Sequence, residues 1–256
     1  MGKIIKNALS SRFNKASDAV RNRIIGLSVG EEGTGKTSFW LGAPGPIVVL
    51  SFDKGLEGVI EEYQDDKDIY VKEYDWMPTD ETGQEEAVAV RDEFTEDFEQ
   101  ALQHARTLII DKETNMWEMF RYAHFGDKSG AQLGYAPLNQ RVRRLLNMPK
   151  ATNINFGIIE GMRDRWVTKA KSDGSGTKGF NTGERIRQGF DEAGEIVHMT
   201  LKHERRNGEF FYYVGKSRGP GSRTVQDNEF QMTEPKDAFT EFAMNVFPGT
   251  SEEDWK

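Results

Sequence analysis

The sequence predicts an α/β fold: a mainly parallel central sheet flanked by helices and closed by a C-terminal β-hairpin. Three observations carry this expectation. Short apolar, β-branched runs (IIGLSVG at 24–30, IVVLS at 47–51, TLII at 107–110, NINFGIIE at 153–160) recur between segments of helical periodicity. These runs are largely apolar rather than alternating, as in strands covered on both faces. Near the C-terminus, two strand-like runs at 195–202 and 209–215 flank Asn207-Gly208, a residue pair that favours a tight hairpin.

The elements follow in order. Ile24 to Gly30 reads as a buried strand ended by glycine. Ser38 to Leu41 opens a helix that GAPGP at 42–46 must stop. Ile47 to Ser51 is a second strand, and Ile69 to Tyr74 an edge strand. Between 85 and 105 the residues Ala87, Val90, Phe94, Phe98, Ala101, Leu102 and Ala105 recur with helical spacing, giving an amphipathic helix. Thr107 to Ile110 is a buried strand that ends on Asp111. Helices are expected over 114–123 and 138–147, then a fourth strand from Asn153 to Glu160. Residues 161–190 are glycine-rich and basic and read as a loop. A short helix near 236–246 closes the chain.

The chain has 256 residues, 36% hydrophobic and 30% charged, no cysteine and a formal net charge of −8. That length suits a basic arm over 1–23, a core over 24–223 and an acidic tail over 224–256. Zero cysteine excludes a disulfide framework, a zinc ribbon and a cysteine nucleophile. No run approaches the roughly 18 apolar residues of a membrane span, and the start MGKIIKNALSSRFNK lacks the apolar centre of a secretion signal. A cytoplasmic protein with no membrane partner is expected. Charge is uneven. Residues 56–100 carry 17 Asp/Glu against 3 Lys/Arg, and residues 224–256 carry 8 against 2, which leaves the remainder at +12. Segment 56–106 therefore reads as an acidic helical insertion. The basic body keeps a polyanionic partner open despite the overall acidity.

GEEGTGKT, Gly30 to Thr37, matches G-x-x-x-x-G-K-[ST] at every fixed position, with an apolar strand before it and a helix after it. Gly30 and Gly35 allow backbone angles that a side chain would forbid. The loop through Gly33, Thr34, Gly35 and on to Ser38 can then wrap a polyphosphate with its N–H groups. Lys36 supplies a mobile cation for the β- and γ-phosphates, and the Thr37 hydroxyl suits Mg²⁺. Glu31 and Glu32 are unusual in a loop that must hold an anion, and they are expected to point outward. Asp111, a carboxylate at the end of a buried strand, completes the metal site. Hydrolysis needs a group that orients water. Asp53, Glu113 and Glu160 compete for that role, with strand ends favouring Asp53 or Glu160.

With GEEGTGKT, IVVLSFDKG, TLIIDKET, NINFGIIEG, EIVHMTL and VGKSRGPG in this order, residues 22–223 resemble the RecA-type branch of P-loop ATPases. They are similar in particular to phage-encoded RecA-fold ATPases associated with single-strand annealing and recombination. The resemblance implies ATP and Mg²⁺ as cofactors and Asp53 as the catalytic acid, at a position where recombinases generally carry Glu. It places Asp111 at the metal. It also puts Glu160 where that branch often has a polar sensor such as Gln or His. Lys216 and Arg218 in KSRGPG resemble a K-x-R element that reaches into a neighbouring subunit's ATP site. That implies a homo-oligomeric ring or filament, in the host cytoplasm if phage-encoded.

Residues 163–187 hold Arg163, Arg165, Lys169, Lys171, Lys178, Arg185 and Arg187 against three acids, with Trp166 and Phe180 available for stacking. Cations interleaved with aromatics suit single-stranded DNA held without sequence preference. The expected function is an ATP-hydrolysing protein of DNA recombination, annealing or replication, acting on single-stranded DNA or with a DNA-binding partner. A small-molecule kinase with an arginine lid uses the same phosphate loop. So does a nucleotide-binding structural protein with little turnover.

Overall fold

In a computed structural model, described for residues 22–76, 83–126, 134–170 and 177–256, nine strands join in one sheet. Its parallel part runs β3 (Ile69–Glu73), β2 (Ile47–Ser51), β4 (Thr107–Asp111), β5 (Asn155–Ala170), β1 (Ile25–Gly30) and β7 (Met199–Arg206). β8 (Glu209–Lys216) and β9 (Glu229–Met232) extend it antiparallel. The β7–β8 hairpin turns on Asn207 (φ 53°) and Gly208 (φ 88°), the left-handed pair that a two-residue turn requires.

Successive residues of each central strand serve opposite cores. Leu50, Leu108, Ile110, Phe156 and Ile158 pack with α3 (Gln84–His104), α4 (Glu113–Phe125) and α5 (Tyr135–Asn147). Val49, Ile109 and Ile159 face α1 (Lys36–Leu41) and α8 (Pro235–Val246) on the other side. α2 (Glu57–Ile60), α6 (Ala193–Ile196) and α7 (Ser222–Val225) are single turns. Covering both faces explains the uninterrupted apolar runs. α1 stays short because Gly42 lies against α8: a Cβ there would sit 2.8 Å from the Lys236 carbonyl. Lys67 Nζ donates to the carbonyls of Gly42 (2.6 Å) and Ala43 (2.8 Å) just beyond the helix end.

The edge strand and amphipathic helix expected within 56–106 are present as β3 and α3, with Ala87, Phe94, Phe98 and Ala101 buried, and β3 pairs with β2, so this acidic segment is part of the sheet rather than an insertion. The described acids of this segment lie at or near the surface. The tail 224–256 carries β9 and α8, with Phe239, Phe242 and Trp255 buried in the second core. The described residues of the basic segment 161–190 form a ribbon. β5 continues past the sheet to Ala170 and pairs antiparallel with β6 (Thr177–Gln188), from Gly161↔Gln188 to Ala170↔Thr177. Alternation in a solvated ribbon is hard to read when both faces are polar. Of the arm assigned to 1–23, residues 1–21 lie outside the described residues.

Trp40 sets how α1 lies on the sheet. Its ring crosses Gly26 of β1 and Gly157 of β5, where an added Cβ would stand 3.1 Å and 2.5 Å from ring carbons. Gly157→Ala is therefore expected to destabilise the protein by about 1–3 kcal/mol, read as a lowered melting temperature. An unchanged melting temperature would show that Trp40 does not need this seat.

Candidate functional site

The parallel strands end at one level, and their carboxyl ends bring the sequence-predicted groups together. Gly30 closes β1, Asp111 closes β4, Asp53 follows β2 and Glu160 lies where β5 leaves the sheet. β4 is two places from β1, with β5 between them, so Asp111 stands about 10 Å from the β1 axis.

The loop from Gly30 to Thr37 is shaped by close approach. At Gly30 a Cβ would sit 2.5 Å from the His203 carbonyl and 2.8 Å from Thr34 Oγ1. Gly33 and Gly35 have φ of 69° and 82°, values that favour glycine. Gly35 also abuts Phe210, 3.1 Å from where a Cβ would be. Lys36 Nζ donates to the carbonyls of Gly30 (2.9 Å) and Glu31 (2.6 Å), so its ammonium spans the loop. Burial lowers the Lys36 pKa, against the pull of Asp111, Glu31 and Glu32. Glu32 is 95% exposed, and the half-exposed Glu31 side chain bonds to Arg185, so both acids point out of the loop.

Beneath the loop runs a buried chain that sequence reasoning missed. Trp40 Nε1 donates to Ser28 Oγ (2.9 Å), and Ser28 Oγ lies 3.0 Å from His203 Nε2. These residues read as ordinary strand and helix positions, and no sequence signal joins them.

Asp111 is buried. That burial, with the neighbouring Asp53 charge, pushes its carboxyl up to about 6, while Lys36 and Lys112 oppose the shift. Lys112 is a second residue that sequence reasoning missed. It adopts φ 62° and pairs with Asp53 at 2.9 Å. Asp53 is fixed by a turn in which Ser51 Oγ donates to the Asp53 carbonyl (2.7 Å) and accepts from its N–H (3.0 Å). Two carboxylates and two ammonium groups thus face one another at the sheet edge. Donor amides, a cation, a hydroxyl at Thr37 and a buried carboxylate are the set that a metal-bound polyphosphate requires. The fit holds.

The other acids are corrected. Glu113 and Glu160 are fully buried, so neither reaches a water at the loop. Glu113 Oε2 accepts the Phe190 N–H (3.1 Å), and Arg187 Nη1 donates to both oxygens of Glu160 (2.9 and 3.0 Å). Burial raises the pKa of both acids, and each is hydrogen-bonded to the other. They form an internal latch in place of a base or sensor.

Two further corrections concern cations. Arg187 is held by Glu160 and by the carbonyls of Phe190 and Asp191, which removes it from a DNA surface. Lys216 Nζ donates to the carbonyls of Gly194 (2.8 Å), Glu195 (3.2 Å) and Val197 (2.6 Å) at the end of α6, so it is a cap and not a finger. Phe210 lies at the loop, and Lys216 is six residues along the same strand, about 20 Å away. The exposed Arg218 is therefore at the opposite end of the sheet from its own loop. Arg163, Arg165, Trp166 (65% exposed) and Phe180 (50% exposed) lie on the ribbon surface. Lys169 and Lys178 occupy facing positions in its strands, and Lys171 lies outside the described residues.

Burial pushes His203 down to about 3, and burial with nearby cations pushes His198 to about 4. The unfolded chain binds protons below about pH 6.5 while the folded one refuses them. The two histidines therefore withdraw stability as pH drops from 6.5 towards 4, His203 by about 1 kcal/mol per pH unit, while the raised carboxyls of Asp111, Glu113 and Glu160 bind protons in the folded chain over the same window and act in the opposite direction. Denaturant titrations of wild type and His203→Gln from pH 7 to pH 4 check this. The variant is expected to lose less stability, or to gain more, than wild type over this range, and an identical pH dependence in both would remove His203 from the account.

No curated protein shows significant sequence similarity to the chain. Among solved structures it is similar to the crystal structure of the RadB recombinase, with a TM-score of 0.46 and 11% identity over 82% of this chain and 86% of that one. The AAA domain family matches residues 22–237, most of the sheet and its loops, and the chain belongs to that family.

Proposed function

We propose that this protein binds ATP with Mg²⁺ at the Gly30–Ser38 loop, hydrolyses it, and works as a homo-oligomer on single-stranded DNA in recombination, annealing or replication. The observation that carries the nucleotide reading is the meeting of Lys36, Asp111, Asp53 and the loop at one edge of the sheet. Magnesium, when bound, would neutralise charge on the phosphates. The chain's own groups do the rest. Thr37 and Asp111 hold the metal, the latter directly or through a coordinated water. The amides of Gly33 to Ser38 cradle the phosphates. Lys36 exchanges the carbonyls of Gly30 and Glu31 for the γ-phosphate.

Asp53 orients the attacking water and takes its proton. It is the only one of the three sequence candidates that retains access to solvent. Its ion pair with Lys112, at 2.9 Å, holds the carboxylate in place. Arg218 cannot serve its own loop, so its finger role requires a second copy. Arg163, Arg165, Trp166, Phe180, Lys169 and Lys178 form the DNA-facing ribbon, on the chemistry of cations interleaved with stacking rings. Arg165, Arg185 and Arg187 are each paired with acids of this chain, which does not favour the arginine lid of a kinase.

Phosphate release with and without single-stranded oligonucleotide tests the proposal. Wild type is expected to turn over without any added acceptor, faster with DNA, and with DNA affinity that falls steeply with salt. Lys36→Ala is expected to lose turnover. Asp53→Asn should cut turnover by about 10²-fold or more while binding persists. Arg218→Ala should regain activity when mixed with Lys36→Ala, each supplying what the other lacks. Turnover that survives in Lys36→Ala overturns the site, and failure of the mixture overturns the trans role.

A further inference from the structure

Glu31 is an acid in a loop built for an anion, and its two ends do different things. Its carbonyl accepts Lys36 Nζ (2.6 Å) and Thr34 Oγ1 (2.8 Å), so its main chain shapes the loop. Its carboxylate is gripped side-on by Arg185 of β6, Nη2 to Oε2 and Nε to Oε1, each at 2.8 Å. The same guanidinium donates to Asp164 Oδ1 (2.9 Å) and to the Met162 carbonyl (3.0 Å), both on β5. One arginine thus ties both strands of the ribbon to the phosphate loop. Two residues on, and so on the same face of β6, Arg187 holds Glu160 at the point where the ribbon leaves the sheet. The return strand is fastened twice, once to the loop and once to the sheet.

Stability does not account for the outer fastening. Arg185 and Glu31 side chains are 43% and 51% exposed, and ion pairs in water contribute little to folding. The acid also opposes an incoming anion. What the pair provides is a physical connection between a basic, aromatic ribbon and the residue whose carbonyl holds Lys36.

We propose that Glu31 is a positioning residue that couples the ribbon to the phosphate loop through Arg185. The coupling rests on the nucleotide reading above. A triphosphate that draws Lys36 off the Glu31 carbonyl frees the main chain at Glu31, and the Arg185 grip carries the displacement into β6. In the reverse direction, a polyanion on the ribbon competes for Arg185 and releases Glu31. By thermodynamic linkage the two effects are reciprocal.

The test is hydrogen exchange at residues 183–188, with and without a non-hydrolysable ATP analogue and Mg²⁺. It compares wild type, Glu31→Gln and the swap Glu31→Arg with Arg185→Glu. Analogue binding is measured on the same samples. Wild type is expected to change its exchange in β6 on binding. Glu31→Gln should bind the analogue but lose that response, and the swap should regain it. A wild-type response in Glu31→Gln, or no recovery in the swap, overturns the coupling alone. Wild type that fails to bind the analogue overturns the nucleotide reading itself, and the coupling with it.

Discussion

The site depends on one electrostatic arrangement. A carboxylate at the end of β4 is buried beside a second acid and is offset by two ammonium groups, Lys36 from the loop and Lys112 from its own neighbour. Desolvation disfavours an ionised Asp111, a cost that a cation beside it would relieve. Every other feature of the edge serves to keep these four groups in place. The Ser51 turn fixes Asp53, the left-handed Lys112 swings its ammonium back over the strand end, and Trp40 seats α1 so that Lys36 begins its helix at the right height.

Much of this was legible in the sequence because it follows from local rules. The apolar runs mark doubly covered strands, Asn207-Gly208 marks the hairpin, and Gly30, Gly35, Lys36 and Thr37 at fixed spacing mark the tight loop that Lys36 spans. Asp111 was readable because a buried strand that ends in an acid is expensive without a purpose. What escaped depends on partners far apart in the chain. Glu160 looks like a free strand-end acid, and Glu113 like a free acid just past one, until Arg187 and Phe190 close over them. Lys216 looks like a free cation until the α6 carbonyls meet it. Lys112, between two acids in sequence, showed no pattern that assigned it to Asp53.

Charge misled in a second way. A run of acids suggested an insertion at 56–106, although its strand and helix were legible, and a run of bases suggested a loop at 161–190. Composition reports which side chains meet water, and the backbone beneath them forms a sheet edge in one case and a ribbon in the other. The ribbon's cations divide accordingly. Arg185 and Arg187 anchor it inward, while Arg163 and Arg165 lie on its solvent side, with Arg165 in an exposed pair with Glu184. The net charge of the segment did not separate anchors from a binding surface.

The most direct measurement is a titration of wild type and Asp111→Asn with ATP, each with Mg²⁺ and with the metal chelated. The account predicts that wild type binds ATP more tightly with Mg²⁺ and that Asp111→Asn loses this dependence while still binding through the loop. Equal Mg²⁺ dependence in both proteins would contradict the placement of the metal at Asp111, and absence of ATP binding in wild type would contradict the site as a whole.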